Sequence, residues 1–542
     1  MGGGALLDEH WIYDLLDAVV AQLPEPTVDL TAVDLTAVGL TAIDLTAIDL
    51  TEAIDGGSST VVVAVRLAGA AGLAGYGVAM SFWRLSTPSW HVDERVYAVA
   101  GRAYWQGDFR PNPQHPPLGK ELIGAAQAAF GPTLAAARLP AAVSALAGGL
   151  VLWLWLSRAA APAAGPLAAV LWWSMPSTLA FPEALPAGLR PETSLPTRYA
   201  LLDPLAGVLA FGALAVGWWW VRSGRWSAAA GSGVLLGLAV ATKLPAGMVG
   251  AIAVAAGSAA ALRRPGTRPR RVLRAGGQAA TWTLAAAGAF VAAYAPMGPA
   301  GALASWTAGW RSQRVHGQAG HLVVVAGRPD LHPPWWTLGW WQYASWGAAA
   351  AAVAALAVGL GLALHPSLAA YLTAAWLLPL VLLVPLAHLA LPHYPVIWRG
   401  PLLASIAVGA AAAAARLRRR IGWWLALAVV LGVLTPTVLL TARTTAATLT
   451  LRPTGYAALP AVVPPGDVWL VGYPAVARPY LAGHRVLSPP LRPEATARPA
   501  AVVLDAMITV RTGDRRPAEW AREHGYRVVR SYTLEIWIPS DG

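Results

Sequence analysis

Two adjacent carboxylates, Asp93 and Glu94, carry the first hint of chemistry in this sequence. They sit in His91-Val-Asp-Glu-Arg-Val-Tyr97, followed after a short interval by Gln114-His-Pro-Pro-Leu-Gly-Lys120. A charged pair beside long apolar segments is costly unless it is solvated or paired, so it marks an expected functional site. Carboxylates next to basic groups suit the transfer of a group from a phosphate to a hydroxyl. One carboxylate takes the proton of the incoming oxygen, and cations meet the charge that develops on the departing phosphate. Asp93 and Glu94 are the candidates, one as general base and the other positioning the acceptor or sharing the proton. Arg138 and Arg198 are the expected phosphate ligands, because a planar guanidinium can hold two phosphate oxygens at once. The competing reading of Arg138 is snorkelling to the membrane interface. His115 and Lys120 come next, on a turn stiffened by Pro116, Pro117 and Gly119. Asp203 is expected to pair with one of these cations, and Lys243, between two short apolar segments, to line a cavity from a re-entrant turn.

The elements that must hold these groups are membrane helices. Of the 542 residues, 56% are hydrophobic and only 12% charged, a composition outside that of soluble domains. About eleven apolar segments are long enough to span a bilayer: 61–83, 134–157, 163–181, 200–221, 227–242, 245–262, 277–297, 346–363, 367–387, 397–415 and 421–442. The expected fold is therefore an α-helical polytopic membrane protein, with the membrane part at 58–442. Cysteine is absent, so metal ligands would be histidines and carboxylates. His332 and His393 could join the carboxylates around a divalent cation, although no spacing resembles a dedicated metal site.

Charge gives the orientation. The net charge is +12, yet residues 1–60 carry eleven Asp and Glu and no Lys or Arg, leaving +23 for the rest. Lys and Arg collect on the cytoplasmic side of membrane proteins. Placing the N-terminus inside puts Arg158, Arg222, Arg225, the run Arg263 to Arg274 and Arg416 to Arg420 in cytoplasmic loops free of Asp and Glu. The opposite loops then hold Asp93, Glu94, Asp108, Glu121 and Asp330, so the acidic loop faces outward. Only two of the 39 basic residues are lysines, Lys120 and Lys243, which fits a use for a compact ammonium at those two positions.

Residues 1–57 start acidic and lack the basic n-region of a signal peptide. Asp8 to Leu23 reads as an amphipathic helix, and Asp29 to Ala53 holds five copies of a five-residue unit of the Asp-Leu-Thr-Ala-Val type. Their phase resembles pentapeptide-repeat proteins, but five copies bury little on their own, and an acidic low-complexity cytoplasmic tail is the preferred reading. Residues 298–345 are rich in tryptophan, with Trp306, Trp310, Trp335, Trp336, Trp340 and Trp341 read as an interfacial belt. Trp335, beside His332-Pro-Pro334, is the member to watch. Residues 443–542 change character: 467–473, 500–505 and 526–538 read as strands and 516–524 as an amphipathic helix. A small extracytoplasmic α/β domain is expected there.

Asp93-Glu94 followed by His115-Pro-Pro-Leu-Gly-Lys120 resembles the protein O-mannosyltransferase family of the glycosyltransferase C superfamily. The resemblance continues in Ala137-Arg-Leu-Pro140, Arg198-Tyr-Ala-Leu-Leu-Asp-Pro204 and Ala241-Thr-Lys243, and covers residues 61–415. Leu331-His-Pro-Pro-Trp335 and Pro392-His-Tyr-Pro395 match more loosely. The resemblance implies a polyprenyl- or dolichyl-phosphate sugar as donor, mannose foremost. It also implies an inverting single displacement onto a Ser or Thr hydroxyl of a secreted or membrane protein, with Asp93 as general base and Glu94 positioning the acceptor or sharing the proton.

A glycolipid acceptor, as in aminoarabinose or arabinose transferases, keeps the same donor and fold. A lipid or solute transporter would show paired internal repeats with ionisable residues near the midplane, whereas the charges here gather at the outer ends of the spans. A plain membrane anchor for the C-terminal domain does not need so many spans. Nucleic acid is not an expected partner, since the basic excess lies in short loops accounted for by topology.

Overall fold

The computed structural model describes residues 59–177, 195–319, 323–325, 328–387, 390–421, 423–487 and 498–540. The expected N-terminal helix and the five-residue repeat lie outside the described residues.

The apolar segments fold as helices because a bilayer core offers no water to backbone amides. Helix α1 (Ser59–Phe82) leads into two short helices, α2 (Val92–Trp105) and α3 (Leu118–Phe130). The chain continues through α4 (Leu134–Ala159), α5 (Ala164–Ser174) and α6 (Leu202–Ser223). Next come α7 (Trp226–Val240), α8 (Met248–Leu262), α9 (Arg268–Ala293) and α10 (Gly298–Ala319). A small antiparallel hairpin follows, β1 (Val323–Val325) with β2 (Arg328–Asp330), and then α11 (Thr337–Ala344). The helical part ends with α12 (Gly347–Leu364), α13 (Pro366–Ala387), α14 (Arg399–Ile421) and α15 (Trp423–Leu449).

Among the described residues, six helical stretches are long and apolar enough to cross a membrane: Leu134–Ala159, Leu202–Ser223, Leu244–Leu262, Gly347–Leu364, Pro366–Leu386 and Tyr394–Ile421. This is fewer than the sequence expectation of about eleven. The span expected at 163–181 is a helix of 11 residues that stops at Ser174. Met175 precedes Pro176, and the proline ring pushes the residue before it out of the helical region; Met175 is extended. The 15-residue α7 is also short for a crossing. Trp341 corrects another expectation. It is fully buried among core residues, whereas Trp306, Trp310, Trp335, Trp336 and Trp340 are exposed as an interfacial belt requires.

Helices α2 and α3 cross at a pair of glycines. A Cβ on Gly124 would lie 2.0 Å from the Gly101 carbonyl oxygen, and one on Gly101 would lie 2.5 Å from that of Lys120. The absence of side chains lets the two backbones touch and fixes how α2 presents its first turn.

The C-terminal segment forms a five-stranded mixed sheet from β3 (Val468–Val471), β4 (Val486–Leu487), β5 (Ala501–Asp505), β6 (Tyr526–Ser531) and β7 (Leu534–Pro539), in the order β4-β3-β5-β7-β6. β3 pairs in parallel with β4 and β5, and β7 is antiparallel to both β5 and β6. A helix over Arg516–Glu523 packs on it where the sequence pattern placed one. The all-buried pattern of β3 and β5 matches central strands covered on both faces. One of those faces packs on the α2–α3 region: Trp90, Tyr97 and Ile123 share a core with Leu470, Val503 and Ile536.

Candidate functional site

The loop before α2 ends in a reciprocal cap. The His91 side chain accepts a 3.3 Å hydrogen bond from the Asp93 amide, and the Glu94 carboxylate accepts one of 2.8 Å from the His91 amide. This arrangement satisfies amides that the helix leaves open. It also sends the two carboxylates in different directions, because residues 93 and 94 lie about 100° apart around a helix.

Glu94 points inward and is fully buried. Arg138 donates to both of its oxygens, from Nε to Oε1 at 2.8 Å and from Nη2 to Oε2 at 2.7 Å, and the Ala200 amide adds a bond of 2.5 Å to Oε1. The remaining Arg138 donors go to the carbonyls of Leu85, Pro88 and Ser89 at 2.6, 3.1 and 2.7 Å. Both expectations for this pair need correction. Arg138 has no donor left for a phosphate, and Glu94 has no oxygen left for an acceptor proton. Together they bolt the loop to α4 and to the segment around Tyr199, whose ring lies 4.5 Å from the guanidinium.

Asp93 stays partly open to solvent, with its side chain 34% exposed. Its Oδ2 lies 3.9 Å from His91 Nδ1 and 3.9 Å from Nε2 of His393. The two imidazole rings meet edge to face at 5.9 Å. Beside them Lys243 donates to both oxygens of Asp203, at 2.8 and 2.7 Å, and its ammonium lies 4.3 Å from the Tyr394 ring centre. Asp203 thus finds its cation in Lys243, not in the arginines, His115 or Lys120. Tyr97 closes this side. Burial raises its phenol well above the ordinary range, and the negative charge of Asp93 adds to the shift.

Three sequence motifs far apart in the chain converge here. The Leu118 amide donates to the Ala241 carbonyl at 3.1 Å, and a Cβ on Gly119 would lie 2.6 Å from Leu202 Cδ2 and 3.1 Å from Thr242 Cγ2. A side chain at 119 would have to displace the Leu202 side chain, so glycine keeps α3, the start of α6 and the turn at Lys243 in close contact.

Lys120, expected to reach the pocket, is fully buried elsewhere. Its ammonium donates to the Tyr104 hydroxyl at 2.7 Å and to the carbonyls of Asn112 and His115 at 2.5 and 2.8 Å. It locks the 112–115 loop onto α2 and α3. Burial pushes its ammonium well below the usual lysine range, partly offset by Glu121. His115 packs edge to face on Tyr97 at 5.6 Å, behind the Asp93 side chain. His332 lies exposed just after β2, where its amide donates to Asp330 Oδ1 at 2.8 Å, outside the group of metal-ligating atoms formed by His91, Asp93 and His393.

Arg198 behaves differently from Arg138. It is buried, its Nε and Nη2 have no partner among the described residues, and burial lowers its pKa to about 10, which still leaves it charged at neutral pH. It lines a cavity of about 430 Å³ between the helical part and the C-terminal sheet. His91, Trp90, Ser89, Tyr473 and Asp505 share that wall. Asp505 accepts from the Tyr456 hydroxyl at 2.8 Å and the Met507 amide at 3.0 Å, and burial raises its carboxyl.

Sequence reasoning gave His91 no role and offered His393 only in a loose motif and, with His332, as a candidate cation ligand. Their signal was a polar residue at a cap position and a histidine bracketed by Pro392 and Pro395. Arg399 was also missed. It is fully buried and donates to the carbonyls of Met175, Leu171 and Trp172, while its Nε and Nη1 have no partner among the described residues.

No family model and no curated protein matches the sequence. Among solved structures, the chain is similar to the apo oligosaccharyltransferase of Archaeoglobus fulgidus, with 12% identity over 84% of this chain and 72% of that one and a TM-score of 0.47. It is also similar to ArnT from Cupriavidus metallidurans bound to undecaprenyl phosphate, with 15% identity over 87% of this chain and 98% of that one and a TM-score of 0.47. At these values the overlaps carry no weight for the reaction, which rests on the residues.

Proposed function

We propose that this chain is a membrane glycosyltransferase. It moves a sugar from a polyprenyl- or dolichyl-phosphate donor onto an acceptor hydroxyl at the extracytoplasmic membrane face, with inversion. Mannose is the sugar and a Ser or Thr of a secreted or membrane protein the acceptor that the motif resemblance favours.

The observation that carries the reading is the split between the two carboxylates. Glu94 is consumed by structure, while its neighbour Asp93 keeps a partly exposed side chain, and Arg198, in the cavity that His91 also lines, has two guanidinium nitrogens without a partner among the described residues. Asp93 takes the proton from the acceptor O–H as that oxygen bonds to the anomeric carbon. The bond from that carbon to the phosphate oxygen breaks and its electron pair leaves with the phosphate, where Arg198 faces the developing charge. Lys243 and Asp203 form a neutral wall that keeps Tyr394 and His393 in place.

Incubating the purified protein with radiolabelled polyprenyl-phosphate mannose and a total membrane extract tests the proposal. Label in protein that is released by β-elimination supports O-mannosylation, and label in lipid points to a glycolipid acceptor. Failure of every polyprenyl-phosphate sugar to bind or react overturns the glycosyltransferase reading and favours a transporter.

A further inference from the structure

We infer that His91, Asp93 and His393 form a binding site for a single divalent transition-metal ion. The inference deepens the proposed transfer reaction by giving its base a metal partner. Each side chain offers one ligand atom, and the three atoms all lie within 4.8 Å of one another. The carboxylate oxygen is centred between the two imidazoles, 3.9 Å from each. Around a bound ion with bonds of about 2.1 Å, ligand atoms sit about 3.0–3.5 Å apart. Closing from 3.9 Å therefore needs only small rotations of side chains that already converge. His91 gives up little, since its present bond to the Asp93 amide is a long 3.3 Å.

The donor set selects the class of ion. Two imidazoles and one carboxylate suit zinc, manganese, cobalt or iron, whereas magnesium and calcium prefer all-oxygen shells. Three protein ligands also leave coordination positions open, as catalytic metal sites do and purely structural ones do not. The site is half open on the Asp93 side, and His393 is buried behind it. An open position there lies on the exposed side of Asp93, from which an acceptor hydroxyl can come. A metal bound through Asp93 Oδ2 lowers the pKa of a coordinated hydroxyl, while Oδ1 remains to receive its proton. The ligands come from two distant segments, the loop before α2 and the turn before α14. The ion would therefore also staple these segments together, and binding to the folded state alone raises thermal stability by mass action.

The test is a titration of the chelator-stripped full-length protein in detergent with Co²⁺, followed by visible d–d absorption and by the melting temperature. One equivalent of Co²⁺ is expected to bind, to raise the melting temperature and to be displaced by Zn²⁺. His91→Gln and His393→Gln, both checked for a wild-type metal-free melt, are each expected to weaken binding at least tenfold, and His332→Gln to leave it unchanged. No stoichiometric binding, or wild-type affinity in His393→Gln, overturns the site and makes the trio a hydrogen-bonding cluster, without touching the transfer reading. Stoichiometric binding by a protein that transfers no polyprenyl-phosphate sugar supports the site and overturns the transfer reading.

Discussion

Arg138 holds Glu94 with two nearly parallel hydrogen bonds, 2.8 and 2.7 Å long, and neither side chain reaches solvent. The pair joins the first turn of α2 to α4, so the position of Asp93 depends on a contact that Asp93 does not make. Removing one partner leaves a buried charge without its counter-ion, at a cost of about 3–5 kcal/mol. Arg138→Met and Glu94→Gln should each lower the melting temperature sharply, and the double variant should recover part of the loss. Single variants that melt like the wild type would show that the pair does not hold the loop.

Arg198→Gln is expected to act in the opposite sense on stability. The wild-type guanidinium is buried with two nitrogens unpartnered among the described residues, a costly arrangement unless an anion completes it. The variant should melt at or above the wild-type temperature and bind undecaprenyl phosphate at least tenfold more weakly. A loss of stability with unchanged lipid binding would remove Arg198 from the donor site.

Lys120→Met should loosen the 112–115 loop. It strips donors from the Tyr104 hydroxyl and from two loop carbonyls, and each orphaned buried group costs about 1–3 kcal/mol. Hydrogen exchange at residues 112–117 should speed up, and transfer should fall because α3 and Gly119 shift. Unchanged exchange would mean that Gly119 and the prolines suffice to hold the turn.

The apolar segments and the C-terminal strands were legible because their patterns are local: apolar runs, alternation and turn residues. His115–Lys120, Arg198–Pro204 and Ala241–Lys243 were singled out as motifs, but their convergence was not legible, because the contacts of Leu118 with Ala241 and of Gly119 with Leu202 and Thr242 span long stretches of chain. Roles were less legible, because a side chain's partners are set across long separations. Glu94 meets Arg138 44 residues away and Ala200 106 residues away. A single sequence shows that Arg138 and Arg198 are both arginines near span ends. It does not show that one spends every donor on carboxylate and carbonyls while the other keeps two nitrogens unpartnered among the described residues. His393 was obscured for the same reason, since it reaches Asp93 only because α14 folds back beside α6.

Gly124→Ala tests the helix crossing under the site. Its methyl would sit 2.0 Å from the Gly101 carbonyl oxygen, a clash with backbone that no rotamer relieves, at an expected cost of about 1–3 kcal/mol. Transfer should fall more than lipid binding, because α2 carries Asp93 and not Arg198. Equal losses in both would argue that the two sites move as one body.

The most direct measurement is turnover by purified Asp93→Asn protein with polyprenyl-phosphate mannose, alongside its affinity for undecaprenyl phosphate. Asparagine keeps the size and the position on the first turn of α2 but cannot take the acceptor proton. The expected result is a fall in turnover of about a hundredfold or more with lipid affinity within a few-fold of wild type. Near-normal turnover would contradict the assignment of Asp93 as the base and, with it, the mechanism.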